Sequence, residues 1–222
     1  MESGTAPPSE IELSDGSRIM LREVRPDDRD AIAQGFERMS PESRYRRFFA
    51  PMSRLSSADL TYLTEVDHHD HEAVVAFDAG GGPVGVARYV RVDSPEEAEV
   101  AVAVIDDWQG RGAGTALVER LVERARENGI ERFVATVLSE NEDALELFRH
   151  IAPDDPKPRR GEPGQLELVI NLPEDGVAGT LLGRALRTAA TGRVVINPWR
   201  LIKRRLHLHS ENRPGRENRP DR

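Results

Sequence analysis

Short runs in which apolar and polar residues alternate are interspersed along the chain with stretches of helical period. Ile11 to Leu13 and Arg18 to Val24 read as two strands of a hairpin, with Ser14-Asp15-Gly16-Ser17 as the turn. A helix is expected over Asp28 to Glu37. Ser40-Pro41 offers an N-cap followed by proline at the first helical position, so a second helix runs to about Phe49. Ser56-x-x-Asp59 caps a third, with Leu60, Leu63 and Val66 on one face. Ala73 to Phe77 and Val84 to Val92 follow as antiparallel strands joined by Gly80-Gly81-Gly82-Pro83, then a strand Glu99 to Ile105. Leu117, Val118, Leu121, Val122 and Ala125 recur at helical spacing opposite Glu119, Arg120, Glu123 and Arg124, until Gly129 stops the helix. A strand over 131–138, a helix over 141–150 and a strand Gln165 to Asn171 complete the expected core.

At 222 residues the chain suits one α/β domain with appendages. It contains no cysteine, which excludes disulfides, thiolate metal sites and an acyl-cysteine intermediate. Residues 1–8 read as a flexible leader without an apolar signal core, and the longest apolar run, Val100 to Ile105, is too short to span a bilayer. A soluble cytoplasmic protein is expected. Residues 181–222 carry 11 Lys and Arg against 3 Asp and Glu, a net +8, which leaves −16 for residues 1–180. An acidic body favours cationic substrates and speaks against nucleic acid there. Val177 to Ala190 reads as an amphipathic helix. Val194 to Leu206 mixes apolar residues and Trp199 with Arg200, Lys203, Arg204 and Arg205, a segment for docking on the body, a partner or an anionic membrane. Residues 174–209 thus form a helical and basic extension to a domain over 9–173, and 210–222 a disordered tail.

The densest chemical signal is Trp108-Gln109-Gly110-Arg111-Gly112-Ala113-Gly114-Thr115, which joins the strand ending at Ile105 to the helix. Three glycines in five residues strip side chains from the backbone, and the helix N-terminus behind them adds partial positive charge, so the loop is expected to cradle phosphates. No Gly-Lys-Ser/Thr follows, and Thr115 stands where a dinucleotide G-x-G-x-x-G needs glycine. A turn that merely links strand to helix is the alternative. Further on, Ser139 and Glu142 have the spacing of a capping box that Asn141 would assist. Asp67-His68-His69-Asp70-His71-Glu72 has the spacing of a short polar loop rather than of a metal-ligand set, so no metal is expected and a polar rim to a pocket is.

Gln109-x-x-Gly112-x-Gly114 resembles the acetyl-coenzyme A loop of the GNAT acyltransferases, and Asn141, Ala144 and Leu147 are similar to that family's N-x-x-A-x-x-L-Y segment, with Phe148 in place of the tyrosine. The order of elements over residues 10–173 resembles the family fold, an α/β (α+β) architecture whose mixed, mostly antiparallel sheet has splayed parallel central strands. The likeness thins after His150. Met39 to Phe49 and Leu63 to Asp67 resemble the acyltransferase domain of bacterial Pat-type protein lysine acetyltransferases, here expected as a stand-alone catalytic module.

The resemblance implies acetyl-CoA as co-substrate, no metal, and a primary amine as acceptor, a protein lysine first, with a small amine or antibiotic second. A CoA-binding sensor or interaction module without turnover is the rival of a different class. It implies contacts to the cofactor from the backbone of Val102, Ala103 and Val104, from Gln109, Gly110, Arg111, Gly112, Ala113, Gly114 and Thr115, and from Asn141 and Phe148; a surface position is the alternative for Arg111. At pH 7.4 only about a thousandth of a lysine-like amine is neutral, a handicap of about 4 kcal/mol that calls for a base. Glu99 stands where many members place that base, with Glu97 as fallback, and Ser139 or a water is left to protonate the thiolate.

Overall fold

Strands buried on both faces require layers above and below them, and residues 71–78 and 97–104 are nearly continuous in burial. The computed structural model describes residues 7–92, 94–152 and 154–173. The expectations for 177–190, 194–206 and 210–222 lie outside the described residues. In chain order the elements are β1 (Ser9–Glu12), β2 (Arg18–Glu23), α1 (Arg29–Glu37), α2 (Pro41–Phe48), α3 (Ser57–Thr64), β3 (His71–Asp78), β4 (Pro83–Arg91), β5 (Glu97–Val104), α4 (Ala113–Glu127), β6 (Arg132–Leu138), α5 (Glu142–Ile151), β7 (Lys157–Arg160) and β8 (Gln165–Asn171). They build one sheet in the order β1-β2-β3-β4-β5-β6-β8-β7. Every pairing is antiparallel except β5 with β6.

The fold class is therefore the one expected, with local corrections. Strand β7 was not legible, because Lys157-Pro158-Arg159-Arg160 lacks apolar alternation; as an edge strand it tolerates proline. Helix α3 ends at Thr64, so Val66 packs on the core from beyond the helix. The Ser139/Glu142 capping box does not form. Asn141 is the N-cap of α5 and accepts from the Ala144 N–H at 3.3 Å, which puts alanine at the position where a box needs glutamate or glutamine.

The two faces of the sheet differ in chemistry. Leu117, Val118, Leu121, Val122 and Ala125 of α4 are fully buried against Ala98, Val100, Val102 and Val104 of β5 and their neighbours in the main core. On the opposite face, Ile32 and Leu63 pack on Ala73 and Val75, while Met39 packs on Ala103 and Ile105. Period-two alternation along β5 thus sends its even-numbered residues to α4 and its odd-numbered residues, Glu99 among them, to the side of α1 and α2.

At the end of the sheet remote from the glycine loop, α4 is bolted down by charge. Arg124 Nε lies 3.1 Å from Glu23 Oε1 and 3.1 Å from Glu72 Oε2, and both carboxylates are buried. His68, held at φ 58°, places Nδ1 2.8 Å from Glu72 Oε1. The hydrogen bond to Glu72 raises the His68 pKa above its ordinary value and outweighs the opposing effect of burial. A raised folded-state pKa means that this contribution is complete below the ordinary imidazole value of about 6.5 and is lost as pH rises through the folded one. Unfolding free energy from urea titrations between pH 5.5 and 9 is expected to fall across that window. In His68→Asn, which tolerates the left-handed backbone, the step should be missing; a full chain whose stability is flat over the range contradicts the assignment.

Candidate active site

Strand β5 follows β4 over its length, from Arg91↔Ala98 to Gly85↔Val104, and β6 follows β8 from Arg132↔Asn171 to Leu138↔Gln165. Between β5 and β6 the parallel register comprises just Glu97↔Arg132, Ala98↔Phe133 and Glu99↔Val134. The strands then part. Ile105 N–H donates to the Val84 carbonyl, so odd-numbered residues of β5 bond toward β4 and the N–H and C=O of Val102 and Val104 point into the gap. Two anchors hold the far end of β5 to the α2 side. Asp106 accepts from Ser40 N–H at 2.8 Å and from Ser43 Oγ at 3.1 Å, and Gln109 Nε2, which bonds the Val104 carbonyl at 2.8 Å, also donates to Ser43 Oγ at 3.3 Å. Burial pushes the Asp106 carboxyl up, but these hydrogen bonds outweigh it and leave its pKa lowered.

The glycine loop opens at the same end. Gly110 and Gly112 take φ of 73° and 95°, conformations that cost glycine little, and Gly112 is the N-cap of α4. No side chain caps this helix and no acid stands in its first turn. The first bond back along the chain runs from Ala116 N–H to the Gly112 carbonyl, so the N–H groups of Ala113, Gly114 and Thr115 have no partner within the helix. They form the anion cradle, on the helix end with positive partial charge. The hairpin turn braces the loop, as Ser14 Oγ donates to the Arg111 carbonyl at 3.0 Å, a contact with no signature in sequence.

Other anticipated residues lie as follows. The Arg111 guanidinium stacks 5.0 Å from the Trp108 ring centroid and 3.5 Å from Asp15 Oδ2, beside the loop. The Gln109 side chain turns inward to Val104 and Ser43. Asn141 is buried as a helix cap, and Phe148 lies wholly within the main core. Ser139 is exposed at the end of β6, where its hydroxyl donates to the Gly164 carbonyl at 3.3 Å.

Glu99 is 8 % exposed and is the last residue of β5 in register with β6, so it stands at the vertex of the gap on the α1–α2 side. Glu97, two residues earlier on the same face, lies 3.5 Å from Arg132 Nε and 3.5 Å from Arg159 Nη1. The acidic and histidine-rich loop contributes less to this face than expected. Asp67 spends its Oδ1 on the N–H groups of His69, Asp70 and His71, His68 pairs with Glu72, and Asp70 pairs with Arg91; His71 alone of the six contacts Arg88, a residue of the cavity under α1 and α2. No group of three or more metal-ligating side chains occurs among the described residues, and none of their helices is long and apolar enough to cross a membrane. Two residues of this face escaped sequence reasoning, Arg47 and Arg88, both about as buried as core leucines. A charged residue at an inward position of the apolar run Val84 to Val92 was the available signal for Arg88.

Residues 30–151 match the acetyltransferase (GNAT) family. Acetyltransferase Pat of Mycolicibacterium smegmatis is 39% identical over 136 residues, 60% of this chain and 40% of that protein. Acetyltransferase PA5475 of Pseudomonas aeruginosa is 33% identical over 123 residues, 54% of this chain and 66% of that one. This chain therefore spans less than two thirds of the length of either. The crystal structure of the GNAT domain of S. lividans PAT is similar with a TM-score of 0.68 at 34% identity, over 74% of this chain and 97% of that one. The matched stretch takes in the parting strands, the glycine loop and both flanking helix layers together, and the chain belongs to the acetyltransferase (GNAT) family.

Proposed function

We propose that the chain is an acyl-CoA-dependent N-acyltransferase that moves acetyl from acetyl-CoA directly to a primary amine. The carrying observation is that the parallel ladder ends after Glu99↔Val134 at the same end of the sheet where α4 presents an uncapped N-terminus. Diphosphate oxygens suit the N–H groups of Ala113, Gly114 and Thr115. A pantetheine arm suits the gap, where it would pair with Val102 and Val104 as an added strand does. The Val104 N–H, directed into that gap, is suited to the thioester oxygen, a contribution of about 3 kcal/mol when preorganised.

The amine approaches from the α1–α2 side and gives its proton to Glu99, directly or through a water, as its lone pair attacks the thioester carbon. Collapse of the tetrahedral oxyanion breaks the C–S bond, and the thiolate leaves with the sulfur electrons. Ser139 serves less well than water to protonate it, because its hydroxyl is engaged by Gly164. Glu99 is the better base, because the Glu97 carboxylate is already engaged in ion pairs with Arg132 and Arg159, each at 3.5 Å. The resemblance of Met39 to Phe49 and of Leu63 to Asp67 to Pat-type protein lysine acetyltransferases supports a protein lysine as acceptor. The cavity beneath the same face supports a small amine.

Acetyl-CoA at a hundred times its Kd is expected to stabilise the full chain by about 2.7 kcal/mol, read as a rise in melting temperature. Gly112→Asp puts a carboxylate at the helix end and should abolish the rise, whereas Gly112→Asn, of the same shape, should keep part of it. An equal rise in both variants removes the phosphate role from the loop.

For Glu99→Gln, turnover read by free thiol release should drop about 10²- to 10⁴-fold at pH 7.4 with acetyl-CoA affinity unchanged. Activity should recover in part at higher pH, where more of the amine is neutral. A variant that turns over normally at neutral pH rules Glu99 out, and an inactive Glu97→Gln beside an active Glu99→Gln moves the base to Glu97. Binding without any turnover over a panel of peptides and small amines would favour the sensor reading.

A further inference from the structure

Beneath the α1–α2 face a cavity of about 50 Å³ runs between the helices and the sheet, several times the space one water needs. Phe36, Met39, Phe48, Ala103 and Ile105 make its walls apolar, and its remaining polar lining comes from Arg47 and Arg88, with no carboxylate among the lining residues. Arg88 is 1% exposed, on the strand beside β5 and in register with Ala101. Its Nη1 meets His71 Nε2 at 3.1 Å and its Nη2 donates to the Leu63 carbonyl at 2.9 Å, both uncharged acceptors once the imidazole nitrogen takes the bond, and its Nε has no hydrogen-bond partner. Arg47, from α2, is 3% exposed.

A buried guanidinium served by neutral acceptors retains a strong demand for an anion. Burial, joined at Arg47 by the like charge of Arg88, lowers the pKa of Arg47 to about 9 and burial lowers that of Arg88 to about 10. Glu99 acts on Arg47 in the opposite sense, so base and arginines share one electrostatic neighbourhood. Along β5, Ala103 lines the cavity, Ala101 faces Arg88, and Glu99 is the next residue on that face at the vertex of the gap, each step about 7 Å. An acceptor lying along this line would set an anionic group at the arginines, an apolar part in the cavity and a nitrogen toward Glu99.

We propose that Arg88, with Arg47, binds the carboxylate of the acceptor, and that the preferred acceptor is a free amino acid with an apolar side chain, which the cavity receives while the α-amino group faces Glu99. This rests on the acetyl-transfer reading above and narrows its acceptor. The acetylated product keeps the carboxylate and the side chain, so it should bind as well, whether or not turnover is observed.

The test therefore has a binding arm and a turnover arm, both on the full chain. N-acetylmethionine is expected to raise the melting temperature and N-acetylmethionine amide to leave it unchanged. With acetyl-CoA, free methionine or leucine should be acetylated with a KM about 10- to 100-fold below that of its amide, the loss expected for a hydrogen bond to a charged group. Arg88→Gln should erase the difference between acid and amide while the melting-temperature rise given by acetyl-CoA persists. Equal binding and equal KM for acid and amide overturn the proposal without touching acetyl transfer, and so does turnover confined to lysine peptides. If acetyl-CoA neither binds nor turns over, the underlying reading fails instead, and the acid-against-amide binding comparison still decides the anion site. No such comparison depends on a variant folding, since the first arm uses the unaltered chain.

Discussion

From Val100 onward β5 has a strand partner on one side only, and this loss of pairing is the constraint on which the rest of the site depends. Backbone N–H and C=O groups without a ladder must find water or a ligand, so an opening inside a sheet persists only if both strands are held elsewhere. Here β6 is committed to β8 along seven register pairs, and β5 is drawn toward α2 by the Asp106 clamp and by Gln109, which bridges the Val104 carbonyl to the Ser43 hydroxyl. The opening is enforced from outside the gap rather than by any residue within it.

Helix α4 turns that opening into a site with polarity. Its C-terminal end is tied to β2 and β3 through Arg124 between two buried carboxylates, and Asn128 Nδ2 donates to Tyr89 Oη at 2.7 Å and to the His68 carbonyl at 3.0 Å. The N-terminal end is left without a capping side chain or a neutralising acid. A helix fixed at one end and bare at the other directs its unbonded N–H groups at a defined place. The hairpin turn completes this placement by holding the loop through Ser14.

The two faces of β5 divide the work between stability and chemistry. Even-numbered residues are small or branched apolar groups sealed under α4. Odd-numbered residues meet α1 and α2, and there the chain buries Glu99, Arg47 and Arg88 within a largely apolar layer. Burying a guanidinium among neutral acceptors lowers stability, so the Arg88 Nε without a hydrogen-bond partner beside a cavity fits a ligand's chemistry better than the needs of the fold.

Signals that act over a few residues were legible in the sequence. The Ser40 and Ser56 caps, the Asp-Gly hairpin turn, the glycine loop and the inward stripe of α4 each depend on neighbours within a turn of helix or a strand end, and each stands where the sequence put it. The splay itself came from family likeness, since no local pattern shows where a parallel ladder stops. Tertiary structure alone decided that Asp106 clamps α2 and that Arg47 and Arg88 meet in one cavity. Those contacts join residues from different elements, 41 positions apart for the arginines and up to 66 for the clamp. Period and propensity carry information over four residues or so, and which arginine of many is buried is set only when helix and strand close on each other.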